Sequence, residues 1–411
     1  MNKCLVFFIL LASALPAHSQ DHTLDFYLGQ ALYNSPLLKD YQGQVAAAGF
    51  DSAIIQAGYG PQVTGSSVNT YAPVIGGYGY DNAISNGGNF STLVGVSKTF
   101  AGRKHLDAQF ETLRLRNQGL NNTAKISEQD LKKSVTAQYI TTFGDWQQLQ
   151  FNREIFALLQ KEDTLLKDLT ERNVYRQTDY LAFLVTMKQQ HLQLRQLEIQ
   201  FRNDYGTLNY LCGIVDTSAA GLEDPGIHLQ SLPEIDSSIF FKQYRLDSLQ
   251  LRNSRSLIDF SYKPRLSVFA DAGHSTTFTY QAYKNFGTSF GFSLIVPIYD
   301  GHQRKMQYSK LDIAERTRNA YKDFFTRQYS QQIAQLSQQL RATEDLIGQI
   351  TEQVRYSEAL ITLNGKLMGT GDAKIADYIL ALSNYLNAKN LLTQNNITRL
   401  QIINQINYWN R

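Results

Sequence analysis

Large apolar residues alternate with small ones along residues 286–299. Thr288, Phe290, Phe292, Leu294, Val296 and Ile298 fall on one side, and Gly287, Ser289, Gly291 and Ser293 on the other. A period of two gives an extended strand one apolar face. Pro297 sits near the end, where a missing N–H is best tolerated. Asp300-Gly301 breaks the strand, and a long helix-forming stretch follows. The same succession occurs at 89–100, where Phe100-Ala101-Gly102 precedes a basic residue and another long helical stretch. Each of these strands has a partner before it, at 62–71 and at 263–273. The segments between partners, 72–89 and 274–285, are loop-like, the first rich in Gly, Tyr, Asn and Ser as at a strand hairpin.

Between the strands the period changes to that of helices. Residues 21–58 carry Leu24, Tyr27, Leu28, Ala31 and Leu32 at steps of three and four, and Gly58-Tyr59-Gly60-Pro61 closes the stretch. Residues 102–172 hold almost no Pro or Gly and predict a rod of roughly 100 Å. A turn at 173–178 leads to a returning helix at 179–213. Residues 234–260, 302–368 and 373–408 repeat the plan. In 302–368, Ile333, Leu340, Ile347, Val354 and Ile361 stand seven apart, with Leu336, Thr343, Ile350 and Ser357 between them, which predicts coiled-coil packing.

The two halves are copies. Phe100-Ala101-Gly102 matches Tyr299-Asp300-Gly301, Asp179-Tyr180-Leu181 matches Asp377-Tyr378-Ile379, and Leu208-Asn209-Tyr210 matches Ile406-Asn407-Tyr408, at near-constant spacing. The expected organisation is a first repeat at 21–215, a linker at 216–233 and a second repeat at 234–411. Residues 1–20 read as a secretion signal: Lys3, an apolar core over 5–11 and the small-x-small site Ala17-His18-Ser19. Cys212 is then the sole mature cysteine, so no internal disulfide is expected.

Charge adds little. The 411 residues have a formal net charge of +3, with basic residues scattered along helices, so no nucleic-acid partner is indicated. The mature chain has no apolar run long enough for a transmembrane helix. Four strands of about ten residues suit an outer-membrane barrel, yet four cannot close one, and open edges are not tolerated in lipid. The chain must therefore oligomerise, and three copies would give twelve strands.

Val296-Pro-Ile-Tyr-Asp-Gly301, its counterpart Phe100-Ala-Gly102, Gly371 with Asp377, and Asn387-Ala-Lys389 together resemble the outer-membrane efflux protein family typified by TolC. The resemblance spans the whole mature chain. It implies a mainly α fold with a small β part, a homotrimer with one twelve-stranded barrel in outer-membrane lipid, and a periplasmic α-barrel. It implies the exit duct of a tripartite efflux or type I secretion system, docked through a periplasmic adaptor on an inner-membrane pump of RND or ABC type. Alignment on Asn387-Ala-Lys389 places Asp377 at the family's first acidic ring. The second acidic position is Leu380, and the family's aromatic and basic latch residues fall at Met368 and Ala373, neither able to latch. The alternative is a surface coiled-coil protein, structural or adhesive.

Asp377 reads either as a pore carboxylate or as a first-turn acid complementing the helix dipole. Asp372 reads as an N-cap. Arg172, Arg176, Thr178 and Asp179 form a turn that either contacts an adaptor or is simply solvated. Phe290, Phe292, Leu294 and Val296 read as the lipid-facing side of a strand. Tyr71, Tyr78, Tyr80, Phe278, Tyr280 and Tyr283 are candidates for an aromatic girdle or plain loop aromatics. No residue spacing points to a catalytic, cofactor or metal site, and the chain is not expected to be an enzyme.

Overall fold

The computed structural model describes residues 23–79, 87–216, 218–277 and 281–410. The expected signal at 1–20, and Tyr80, Phe278, Tyr280 and linker residue Thr217, lie outside them. In chain order the elements are α1 (Leu24–Asn34), α2 (Pro36–Gly58), β1 (Gln62–Ala72), β2 (Gly87–Phe100), α3 (Arg103–Glu171), α4 (Gln177–Cys212), α5 (Ile239–Ser261), β3 (Arg265–Thr276), β4 (Phe286–Ile295), α6 (Gln303–Thr370) and α7 (Ile375–Asn407). The series helix, strand, strand, long helix, helix thus occurs twice. Short 3-10 turns occur at Ile235–Ser237 and Ala282–Lys284.

Four expectations need correction. The single helix at 21–58 is two, because Ser35 is extended (ψ 114°) ahead of Pro36, which lacks the N–H to continue the ladder. The strand at 286–299 stops at Ile295, so Val296 is outside it. The register pairs Arg265 with Ile295, which sets Val296 opposite Pro264, a residue with no N–H to give, and Pro297 follows. The strand at 263–273 runs on to Thr276, since His274 pairs with Phe286 and its ring nitrogen lies 2.6 Å from the Ala282 carbonyl. Asp372 is not an N-cap. That position belongs to Lys374, without a side-chain bond, and the Asp372 carboxylate instead accepts from the Thr370 hydroxyl at 2.6 Å.

Packing divides the chain into two units that each draw on both repeats. The first comprises the described residues of Met1–Leu38, Lys125–Ser238 and Arg327–Arg411. The second comprises Lys39–Ala124 and Ile239–Thr326.

In the first unit, α1 packs on the α3–α4 hairpin. Tyr27 is buried against Tyr139, Phe201, Tyr205 and Leu208, and its hydroxyl meets that of Tyr205 at 3.0 Å. A second core joins the two hairpins: Ile155, Leu159 and Leu166 of α3 and Phe183 of α4 meet Ile361 and Met368 of α6 and Ile375 and Tyr378 of α7. Of the heptad stripe of α6, Leu336, Leu340, Ile350, Val354, Ser357 and Ile361 are buried, and Ile333, Thr343 and Ile347 are half-buried. The described residues of the linker at 216–233 form no helix or strand but are strapped down. Leu222 is buried in the first core, Ile227 and Leu232 pack on Leu336, Leu340 and Ile403, and the Tyr139 hydroxyl donates to the Glu223 carbonyl at 2.8 Å.

In the second unit the strands form one antiparallel sheet in the order β1-β2-β3-β4. The central β2–β3 pair joins strands from different repeats. The surrounding helices are tied by side chains to backbone: Asn122 Nδ2 donates to the Ile239 carbonyl at 2.9 Å, and Asn253 Nδ2 to that of Ala108 at 2.9 Å.

Candidate functional site

Two places collect the residues singled out by the sequence: the paired helix turns of the first unit and the sheet of the second. The two turns are built alike. After α3, Asn173 takes a left-handed backbone (φ 56°), the Asn173 N–H bonds to the Thr170 carbonyl at 3.0 Å, and the Val174 N–H reaches back to Leu169 at 2.9 Å. After α6, Gly371 (φ 83°) bonds to Met368 at 3.2 Å, and Asp372 reaches back to Leu367 at 2.9 Å. Both are Schellman endings, which need a residue that tolerates positive φ at that position. Each is followed by an extended Arg176 or Lys374 that opens the next helix, with Asp179 or Asp377 in the first turn.

Side by side, the turns touch. Val174 stands against Gly371, where an added Cβ would lie 3.0 Å from Val174 Cγ1. The Tyr175 hydroxyl lies 2.9 Å from the Met368 carbonyl and 2.8 Å from the Ala373 carbonyl, so one phenolic proton ties the first turn to both ends of the second. Burial, with the Asp372 carboxylate nearby, raises the Tyr175 pKa and keeps that proton in place. The two positions at which the family resemblance puts its latch residues, Met368 and Ala373, thus meet Tyr175 through their backbone carbonyls. Tyr175 was missed: a tyrosine in a turn carries no periodic signal, and only the equivalence of Asn173 with Gly371 would have placed the turns together.

Asp377 is exposed at the start of α7, and Leu380, one turn later, is 62% exposed. Arg172, Arg176, Thr178 and Asp179 are all exposed. Arg172 is held by Asp168, four residues back on α3, at 2.9 Å. The turn is therefore solvent-facing, with its arginines on the surface.

In the sheet, residues directly opposite share a face. Phe290, Phe292 and Leu294 stand opposite Ala270, Val268 and Leu266, which stand opposite Val96, Lys98 and Phe100. With Val94 and Val63 they make one face that is apolar around Phe290–Leu294 apart from Lys98, and that turns polar further along the strands, at Thr288 and at Ser67, which is bonded to Thr92 at 3.1 Å. The other face carries Ser289 bonded to Asp271 at 2.6 Å, with Ser293, Ser267, Ser97 and Thr64. Phe269 of this face lies over Gly291, where a Cβ would come within 2.8 Å of the ring. Phe290, Phe292 and Leu294 are 89%, 74% and 58% exposed. Val296, beyond the strand, is exposed but belongs to neither face. Tyr71, Tyr78 and Tyr283 are exposed near the strand ends.

The Asp300-Gly301 motif is a junction. Asp300 accepts from the backbone N–H of His302 at 2.9 Å and of Arg304 at 2.7 Å, capping α6, while Gly301 and His302 both take positive φ. Arg304 pairs with Asp259 at 2.5 Å and lies near the rings of Tyr262 and Tyr308. Tyr308 and Arg304 together hold the Asp259 carboxyl below its usual range. Among the described residues no group of three or more His, Cys, Asp and Glu side chains could hold a metal ion. No helix among them is long and apolar enough to cross a membrane.

No family model matches this chain, and no curated protein sequence does. Solved structures do. The outer-membrane channel OprN superposes at a TM-score of 0.72 over 95% of this chain and 90% of its own, with 13% identity. The outer-membrane protein VceC of Vibrio cholerae does so at 0.71 over 94% and 95%, with 13% identity. The channel-forming CusC gives 0.73 over 94% and 91%, with 12% identity. The fold is that of the outer-membrane channels. The likeness covers nine-tenths or more of each chain although about seven residues in eight differ.

Proposed function

We propose that this chain is the outer-membrane exit duct of a tripartite efflux or type I secretion system, passing substrates passively from an inner-membrane pump to the exterior. The observation that carries the reading is the sheet. Its apolar face, led by Phe290, is uncovered by any described residue of its unit, and β1 and β4 each leave an open edge. Water does not suit such a face, and lipid does not tolerate such edges. Three copies joined edge to edge give twelve strands, an even-numbered antiparallel barrel with an apolar exterior and a lumen lined by serine, threonine and Asp271. The channel fold shared with OprN, VceC and CusC supports the same reading.

Phe290, Phe292 and Leu294 then face lipid. The exposed Arg172–Asp179 turn is the docking end for a periplasmic adaptor, through which an RND- or ABC-type pump supplies the energy. Asp377 lines the aperture, and the Tyr175 bond holds the two turns of each chain together there. Leu294→Arg should cost roughly 2–4 kcal/mol near the bilayer midplane. The check is trimer yield in detergent, and a normal yield would remove Leu294 from the lipid face. In planar-bilayer recordings Asp377→Ala should lower cation preference and Tyr175→Phe should raise open probability. Unchanged traces for either variant would withdraw that residue's role.

A further inference from the structure

A cavity of about 410 Å³ lies in the first unit, where the strap at 227–229 crosses α6 and α7. Its apolar lining includes Leu340 and Ile403, both buried, and its polar lining includes Ser337, Arg341 and Arg399. The strap is pinned over it. Asn407 Nδ2 donates to the His228 carbonyl at 2.7 Å, and Asn407 Oδ1 accepts from the Gln230 N–H at 2.9 Å. Ile227 and Leu232 are packed against the Leu340–Ile403 cluster on either side of these bonds. The walls are thus set by packing and hydrogen bonds of the chain itself.

Arg399 is half-buried, and its Nε is shut off from solvent with no acceptor. Among the described residues neither Arg399 nor Arg341 takes part in an ion pair. Glu344, three residues after Arg341 and also lining the cavity, is paired with neither. The enclosed Nε is closed to a ligand as it is to water, so an acceptor in the cavity meets the terminal N–H groups of the guanidinium, which stays charged. The planar fork of Arg matches a carboxylate or a phosphate oxygen pair, and a second guanidinium and a hydroxyl stand beside it. The cavity is larger than a bare oxyanion needs, and one part of it is apolar.

We propose that this cavity binds a small organic carboxylate, with its oxygens in the fork of Arg399, Arg341 and Ser337 beside them, and its apolar body against Leu340 and Ile403. The inference is independent of the duct reading, since it uses only residues of the strap, α6 and α7. Titration calorimetry of the purified, detergent-solubilised protein with sodium benzoate tests it. One saturable site per chain is expected. Arg399→Gln should weaken it at least tenfold, Arg399→Lys should fall between, keeping charge but not the fork, and Glu344→Gln should tighten it by removing a competing charge. Circular dichroism and oligomer mass confirm that each variant is folded. Inorganic phosphate should compete only weakly. If phosphate binds as well as benzoate, the apolar part of the site contributes nothing and the organic ligand is wrong. Absence of saturable heat, or equal heat from folded Arg399→Gln, overturns the site. Absent benzoate binding together with loss of oligomer mass in Arg399→Gln means that a neighbouring copy's carboxylate fills the fork, which also overturns it.

Discussion

Asp163 on α3 and Ile361 on α6 occupy equivalent places in the two hairpins, and so do Tyr180 on α4 and Tyr378 on α7, each pair 198 residues apart. In the first hairpin the Tyr180 hydroxyl donates to Asp163 at 2.9 Å. In the second, isoleucine offers nothing, and the buried Tyr378 hydroxyl has no partner among the described residues. The contrast extends along the helices. Between α3 and α4 the contacts include Gln190 donating to Asn152 at 2.6 Å, Gln200 donating to Asp145 at 2.7 Å, and Gln138 donating to the Asp204 carbonyl at 3.1 Å. The buried stripe of α6 is aliphatic but for Ser357. The repeats have kept backbone geometry, turn for turn, while the means of holding each hairpin together has diverged: hydrogen bonds within an apolar frame in one, heptad packing in the other. Polar contacts fix register through geometry, whereas heptad packing fixes it through volume.

The equivalent positions give the sharpest way to break this comparison. Ile361→Ala should destabilise by about 2–5 kcal/mol through an unfilled cavity. Asp163→Ala should cost only about 1 kcal/mol, the worth of one hydrogen bond at a half-buried site. Thermal melting of both variants in detergent measures the difference, and equal losses would erase the distinction between the hairpins.

A buried carboxyl supplies the next test. Burial and the neighbouring Asp204 carboxylate push Asp145 up to about 7 from its ordinary 3.8. The folded form therefore holds a proton that the unfolded chain releases between those values. The resulting contribution is full below the unfolded pKa and disappears as pH rises through about 7. Melting temperature should fall between pH 3.8 and about 7 in the parent, and Asp145→Asn should flatten that slope. A slope left intact in the variant would place the titration elsewhere.

The smallest effects belong to the tyrosines. Tyr180→Phe should lose about 1 kcal/mol, while Tyr378→Phe should be neutral or slightly stabilising, because it removes a hydroxyl that has no acceptor. A clear loss for Tyr378→Phe would mean that its hydroxyl is satisfied after all.

Most of the architecture was legible from periodicity alone. The strand alternation at Phe290–Leu294, the heptads of α6 and the offsets between the halves each follow from one physical rule, and the matching Schellman turns follow from positive φ at Asn173 and Gly371. The break at Ser35 was also signalled, by Pro36, but was outweighed by the continuing helical period on both sides. What the sequence concealed was contact across distance. Tyr175 meets carbonyls 193 and 198 residues away, and backbone acceptors leave no trace in residue identity. The end of β4 depended on Pro264 of the neighbouring strand, which matters only once the register is known. The unpaired Arg399 looked like any other helix-surface arginine until the strap was seen to close over it.

The central claim is that three chains close one barrel around an aqueous path. The measurement that tests it most directly is the mass of the purified protein by light scattering, joined to its single-channel conductance in a planar bilayer. A trimer with a small, cation-favouring conductance is the expected result. A chain that stays monomeric, is fully soluble without detergent and conducts nothing would contradict the account.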